Sequence, residues 1–266
     1  MLKDKKLFLL DIDGTIAIDS VLIDGTKEFM SHVLNIGGKY IFITNNSTKS
    51  IKDYIEQFTE LGIKVDESNF ITASYATALY LKEHYKEKKI FVVGTKSFIE
   101  ELRNFKLNIT EEIEDDIRCA VVAYDNELTY KKIEKICEIL STNKDIEYIA
   151  TNPDLACPTK FGFVPDCGAI CNMIKAAVKK EPIFIGKPNK IIGNLCIKKS
   201  GFKKEEALII GDRLYTDIAC GINSNIDTVL LLTGEAKKED IETTIFKPDY
   251  VLEDIKRLYE GIIKTI

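Results

Sequence analysis

Short unbroken apolar runs recur along this chain, and each breaks off into polar residues just ahead of a helical pattern. Lys6-Leu7-Phe8-Leu9-Leu10 is the first and Tyr40-Ile41-Phe42-Ile43 the second. Continuous runs, unlike alternating ones, suit strands covered on both faces, as in a parallel sheet flanked by helices. The intervening patterns predict helices over 25–35, stopped by Gly37-Gly38, over 48–61, stopped by Gly62, and over 74–85. The first part of the chain therefore reads β-α-β-α, the rhythm of a parallel sheet.

From about residue 88 the alternation starts again. Strands are expected at 90–93, 119–123 and 147–150, with helices over 97–105 and 129–141 between them. Strands at 182–185, 207–210, 228–232 and around Tyr250-Val251 are expected to resume the first sheet. The charged stretches Lys86-Glu87-Lys88-Lys89 and Lys179-Lys180-Glu181-Pro182 lie where linkers would be placed. The expected fold is α/β: a doubly wound parallel-sheet core from 1–80 and 183–266, interrupted by a second α/β domain over 81–182.

With 266 residues, 45% of them hydrophobic and 30% charged, the chain is long enough for one large domain or two modest ones. A formal net charge of -5 favours no nucleic-acid partner, whereas a small phosphate ester needs only a local cation. No apolar stretch nears the roughly 20 residues that span a bilayer, and the first residues run into a strand without a signal-peptide core. The seven cysteines are scattered through apolar segments, odd in number and without a C-x-x-C pair. That pattern fits buried thiols in a reducing compartment, the cytoplasm. His32 and His84 stand apart, so no histidine metal pair is available.

Chemistry gathers where the runs end, at the carboxyl ends of strands, where open α/β sheets place their ligands. Asp11-Ile12-Asp13-Gly14-Thr15 follows the first run. A carboxylate at Asp11 can attack phosphorus if a divalent cation offsets the repulsion of the phosphate oxygens. Asp13 can hand a proton to the leaving oxygen, and Gly14 permits a sharp turn that brings amides near a phosphate. Thr44-Asn45-Asn46-Ser47 ends the second run just before a helix, where a hydroxyl and backbone N–H groups can grip phosphate oxygens. Gly186-Lys187-Pro188 supplies a cation after the run at 182–185. Gly211-Asp212 ends the run at 207–210, with Asp217 shortly after, a carboxylate pair of the kind magnesium accepts through oxygens and waters. Singly, each has a plainer reading as a strand-end turn, a helix cap or a surface lysine. Acid-x-acid, hydroxyl, lysine and acid in chain order on four strand ends make the case together.

These residues, in this order, resemble the four signature motifs of the haloacid-dehalogenase (HAD) superfamily, over nearly the whole chain. The resemblance implies that Asp11 is the nucleophile and Asp13 the general acid/base. Thr44 and Lys187 would bind the phosphate, with Gly14, Asn45 and Asn46 beside them. Magnesium would be held by Asp11, by Asp13 through its backbone carbonyl, and by Asp212, with Asp217 behind them or joined through water. The interval between Asp13 and Thr44 holds barely a helix and a loop, whereas that between Thr44 and Lys187 admits the second α/β unit. With Ala150-Thr151-Asn152-Pro153-Asp154 and Gly186-Lys187-Pro188-Asn189, this placement resembles the NagD-like, 4-nitrophenylphosphatase-like branch with a large C2-type cap.

The branch implies magnesium-dependent hydrolysis of a small phosphomonoester through an aspartyl-phosphate on Asp11. Nucleotide monophosphates, sugar phosphates, phosphoglycolate, pyridoxal phosphate and 4-nitrophenyl phosphate are the substrate types expected. Asn152, Asp154 and Asp166 are the cap residues expected to contact the substrate, against the plainer readings of an Asn-Pro-Asp turn and a helix cap. Pro165-Asp166-Cys167-Gly168 departs from the Pro-Gly-x-Gly of many relatives, and Tyr215 stands where many carry an acid. A phospho-acceptor signalling module would use a similar core to store the phosphoryl group; Asp13, placed to activate water, and a cap-sized insert argue against storage. A phosphotransferase or mutase would pass the group to an alcohol, which stays open. The expected partner is a small phosphorylated metabolite, not a nucleic-acid polymer or a membrane, with a homodimer left open.

Overall fold

The computed structural model describes residues 2–18, 21–159 and 161–264, which fall into two compact units. The first holds the chain up to Thr44, Lys52–Ile71 and the chain from Lys187 onward; the second holds Asn45–Ile51 and Thr72–Gly186.

In the first unit a six-stranded sheet runs in the order Tyr250–Leu252, Asp227–Leu231, Ala207–Gly211, Leu7–Leu10, Lys39–Thr44, Phe70–Thr72. Leu7–Leu10 lies parallel to both its neighbours, with Leu10 opposite Ile210 on one side and Phe42 on the other. Its four side chains are all fully buried, as an unbroken apolar run requires. The chain builds outward on one side of this strand and returns later to build the other, so the strand order reverses between Leu7–Leu10 and Ala207–Gly211. Such a reversal opens a crevice at the carboxyl ends of the strands. Phe42, Phe58 and Phe70 pack with ring centroids 4.5–5.5 Å apart and fill the core on one side. An antiparallel pair of short strands, Ala17–Ile18 and Val21–Leu22, follows the first strand, too short for its period to show in the sequence.

The second unit has its own five-stranded parallel sheet, in the order Ile183–Phe184, Glu147–Ala150, Ile117–Val122, Lys89–Val93, Ile109–Thr110. The strand expected at 182–185 thus does not resume the first sheet; Ile183 pairs with Ile149. An apolar run specifies a strand but not its partner, and this one, with Ile183 half exposed, is an edge. Helices Tyr130–Thr142 and Cys167–Val178 cover the sheet with Ile133, Ile136, Ile139, Ile170 and Ile174. Their N-termini are capped by the side chains of Thr129 and Asp166. All seven cysteines are free, five of them buried. No described helix is long and apolar enough to cross a membrane.

Candidate active site

Lys187 is buried, and its ammonium donates to Asp11 Oδ1 at 2.6 Å, to Asp217 Oδ1 at 2.6 Å and to the Ile43 carbonyl at 3.0 Å. The register that sets Leu10 opposite Phe42 brings Asp11 and Ile43 side by side at the strand ends. Burial works against the charge on Lys187, but the two carboxylates outweigh it and hold the ammonium's pKa above its ordinary value.

Asp217 comes from a π-helical turn, Leu214–Ile218, in which Ile218 N reaches back to the Arg213 carbonyl at 3.2 Å. Arg213 N donates to Asp217 Oδ2 at 3.1 Å. Gly211 makes the room: a Cβ there would stand 2.2 Å from Asp217 Cγ. Asp212 is held by Glu235 N, which donates to its Oδ2 at 2.7 Å. A Cβ at Gly14 or Gly234 would meet the same oxygen at 2.6 or 1.9 Å, and Gly14 has φ +86° besides. The other oxygen of Asp212, Oδ1, is buried without a hydrogen-bond partner.

One lysine here faces three carboxylates. Burial, reinforced by Asp11 and Asp217, pushes the Asp212 carboxyl well above the usual range. Burial also lifts Asp217 to about 6, against the opposing pull of Lys187. The cluster is short of positive charge. Ligand atoms of Asp11, Asp212 and Asp217 lie within 4.8 Å of one another, the one such metal-capable group among the described residues. Carboxylate oxygens are hard donors, and a divalent cation would satisfy the orphaned Asp212 Oδ1. The residues fit such an ion. The side chain of Asp13 is exposed and stands outside the group, its backbone bridged to Ala17.

Residues 8–108 match the family profile described as haloacid dehalogenase-like hydrolase, and 184–258 match a second, HAD-hydrolase-like profile. An acid sugar phosphatase of Staphylococcus epidermidis is 31% identical, with 96% of each chain covered. The chain is a haloacid dehalogenase-like hydrolase. The 5'-nucleotidase YutF of Bacillus subtilis is 30% identical over 96% of this chain and 97% of its own. Among solved structures, a 4-nitrophenylphosphatase from Thermotoga maritima superposes with a TM-score of 0.92 at 34% identity, covering 98% of each chain. NagD from Escherichia coli gives 0.85 at 29% identity, over 95% of this chain and 97% of that one. These relatives set the hydrolase in the NagD and 4-nitrophenylphosphatase branch.

Around the nucleophile position of this hydrolase, the Thr15 hydroxyl donates to Asp11 Oδ2 at 3.4 Å, and the Thr233 hydroxyl donates to the Gly14 carbonyl. Thr44 is buried at the end of Lys39–Thr44. Thr233, Gly234 and Glu235 escaped the sequence reading, although Leu230-Leu231-Leu232-Thr233-Gly234 is another apolar run ending in hydroxyl and glycine. In the second unit Asn46 turns its side-chain carbonyl to the Thr48 N–H and hydroxyl. Asn152, Asp154 and Asp166, expected as substrate contacts in the cap, are 0%, 1% and 5% exposed. Their polar atoms bond one another: Asn152 Nδ2 donates to both Asp154 Oδ2 and Asp166 Oδ1 at 2.9 Å. Asn45 Nδ2 joins them at Asp154 Oδ2.

Proposed function

We infer that this hydrolase removes phosphate from a small phosphomonoester through an aspartyl-phosphate on Asp11. The observation that carries the reading is the buried cluster of Asp11, Lys187, Asp212 and Asp217 at the reversal point of the sheet. Lys187 fixes one carboxylate oxygen of Asp11, so the other, only weakly held by Thr15, is the attacking atom. It bonds to phosphorus as the ester P–O bond breaks, and Asp13 gives the leaving oxygen its proton. Asp13 then takes a proton from water, which attacks phosphorus and releases the carboxylate. Thr44 and Lys187 hold the phosphoryl oxygens, with Gly14 and the backbone N–H groups of Asn45 and Asn46 beside them. Mg2+ held by Asp11, Asp212 and the Asp13 carbonyl, with Asp217 behind them, would neutralise charge on the phosphoryl group. The inserted α/β unit, expected over 81–182 and extending in the structure over Thr72–Gly186, acts as the cap.

Sugar phosphates and nucleoside monophosphates are the foremost candidate substrates, given the relatives' names. A cytoplasmic location is supported by seven free cysteines. The test is a phosphate-release screen over sugar, nucleotide, glycolate, pyridoxal and 4-nitrophenyl phosphates with Mg2+ present. Release from some of these esters, abolished by Asp11→Asn in a folded protein, is expected; no release from any, or full activity of that variant, would overturn the reading.

A further inference from the structure

A set of buried polar side chains that this reaction leaves unused lies in the second unit. Asp154 Oδ2 accepts from Asn45 Nδ2 at 2.7 Å and from Asn152 Nδ2 at 2.9 Å. Asn152 also donates to Asp166 and accepts from the Thr151 hydroxyl at 2.8 Å. The Asp154 carbonyl accepts from Gly168 N at 2.8 Å, and the Thr151 carbonyl accepts from Gly186 N at 2.7 Å. Gly186 sits so close that a Cβ there would stand 2.6 Å from both Asn45 Oδ1 and the Thr151 carbonyl oxygen. Asn45, Thr151, Asn152, Asp154 and Asp166 are each more than nine-tenths buried. Four stretches of chain, at 45, 151–154, 166–168 and 186, are thereby clamped together. Two ends of the clamp, Asn45 and Gly186, are each one peptide bond from a phosphate-binding residue, Thr44 and Lys187.

We propose that Asp154 is a positioning residue, which fixes through Asn45 and the adjoining Thr151–Gly186 bond the backbone that presents Thr44 and Lys187. The proposal rests on the phosphatase reading above and gives Asp154 a task other than choosing the leaving group. A buried carboxylate that accepts two amide bonds is a rigid anchor. Groups behind the contacting residues set their orientation, and misplacement by about 1 Å can cost about 10²-fold in rate. Of the substrate, Thr44 and Lys187 meet only the phosphoryl group, which every ester shares. Losing the anchor should therefore damage all substrates alike.

The experiment measures kcat and KM with 4-nitrophenyl phosphate and with a nucleoside monophosphate, and inhibition by inorganic phosphate, all with Mg2+. Asp154→Ala is expected to lower kcat/KM for both esters by the same factor, about 10–100-fold, and to weaken phosphate inhibition. Asp154→Asn, whose amide oxygen still accepts both bonds, should recover most of the activity. Damage to the fold alone would cut the active fraction, lowering kcat with KM and phosphate inhibition unchanged, and would overturn the proposal. So would a loss that differs between the esters, or Asp154→Asn as harmful as Asp154→Ala. If Asp154→Ala does not fold, Asn45→Ala reads the same quantities while leaving Asp154 its bond from Asn152. Wild-type protein inactive on every ester would instead overturn the phosphatase reading, and the proposal with it.

Discussion

Lys187 sets the electrostatic balance of the site, since its ammonium bonds two of the three clustered carboxylates. Lys187→Met would leave those carboxylates buried without it, and breaking a buried pair from one side costs about 3–5 kcal/mol. Urea unfolding with a chelator present should show a loss of that order, and turnover with Mg2+ should fall by at least about 10²-fold; unchanged stability would contradict the bonding described. Asp217 carries a pH signature. Its carboxyl, lifted by burial from 3.8 to about 6, binds its proton more tightly in the folded chain than in the unfolded one. Its contribution to metal-free stability is therefore fully present below about pH 3.8 and lost as pH rises through about 6. The Tm difference between wild type and Asp217→Asn, followed across that window, should show the decline with chelator and a weaker one with Mg2+.

Among the elements, the π-helical turn Leu214–Ile218 fits closely against the strand end at Gly211. Asp217 occupies the space that a side chain at Gly211 would take, so Gly211→Ala must push it away from Lys187. Crowding of this kind costs about 1–3 kcal/mol, and the turnover lost should exceed what the drop in folded protein explains. The helix Ile255–Lys264 offers the contrast. A Cβ at Gly261 would meet nothing within 4 Å, so Gly261→Ala should raise stability by about 0.5–1 kcal/mol and leave turnover unchanged. A fall in Tm for that variant would mean that the helix is not continuous there.

At the scale of the molecule, each unit has its own sheet, and the metal-capable group belongs to the first alone. A ligand that binds only the folded form stabilises the part that it joins. Hydrogen exchange with and without Mg2+ should thus show new protection in Leu7–Leu10 and Ala207–Gly211, which lead into Asp11 and Asp212. Equal protection gained across Ile117–Val122 and Glu147–Ala150 would place the ion elsewhere.

Sequence alone determined the strands that carry the site, because a strand covered on both faces must be apolar throughout, and the polar residue that ends it is then marked. The strand-end places of Asp11, Thr44 and Asp212 were legible for that reason, whereas the bond from Lys187 to Asp11 was not. Strand pairing is not local: the run at 182–185 looked like its fellows, yet Ile183 pairs with Ile149. Nor is burial of a polar loop: nothing local to Asn152, Asp154 and Asp166 shows that Asn45, distant in the chain, shares Asp154 with Asn152. Glu235 was invisible because a backbone N–H that donates to Asp212 leaves no mark of residue type, and Gly234, though it ends an apolar run, does not show which side chain it makes room for. Residue type and spacing are written along the chain, whereas hydrogen-bond partners and free volume arise only when distant segments meet.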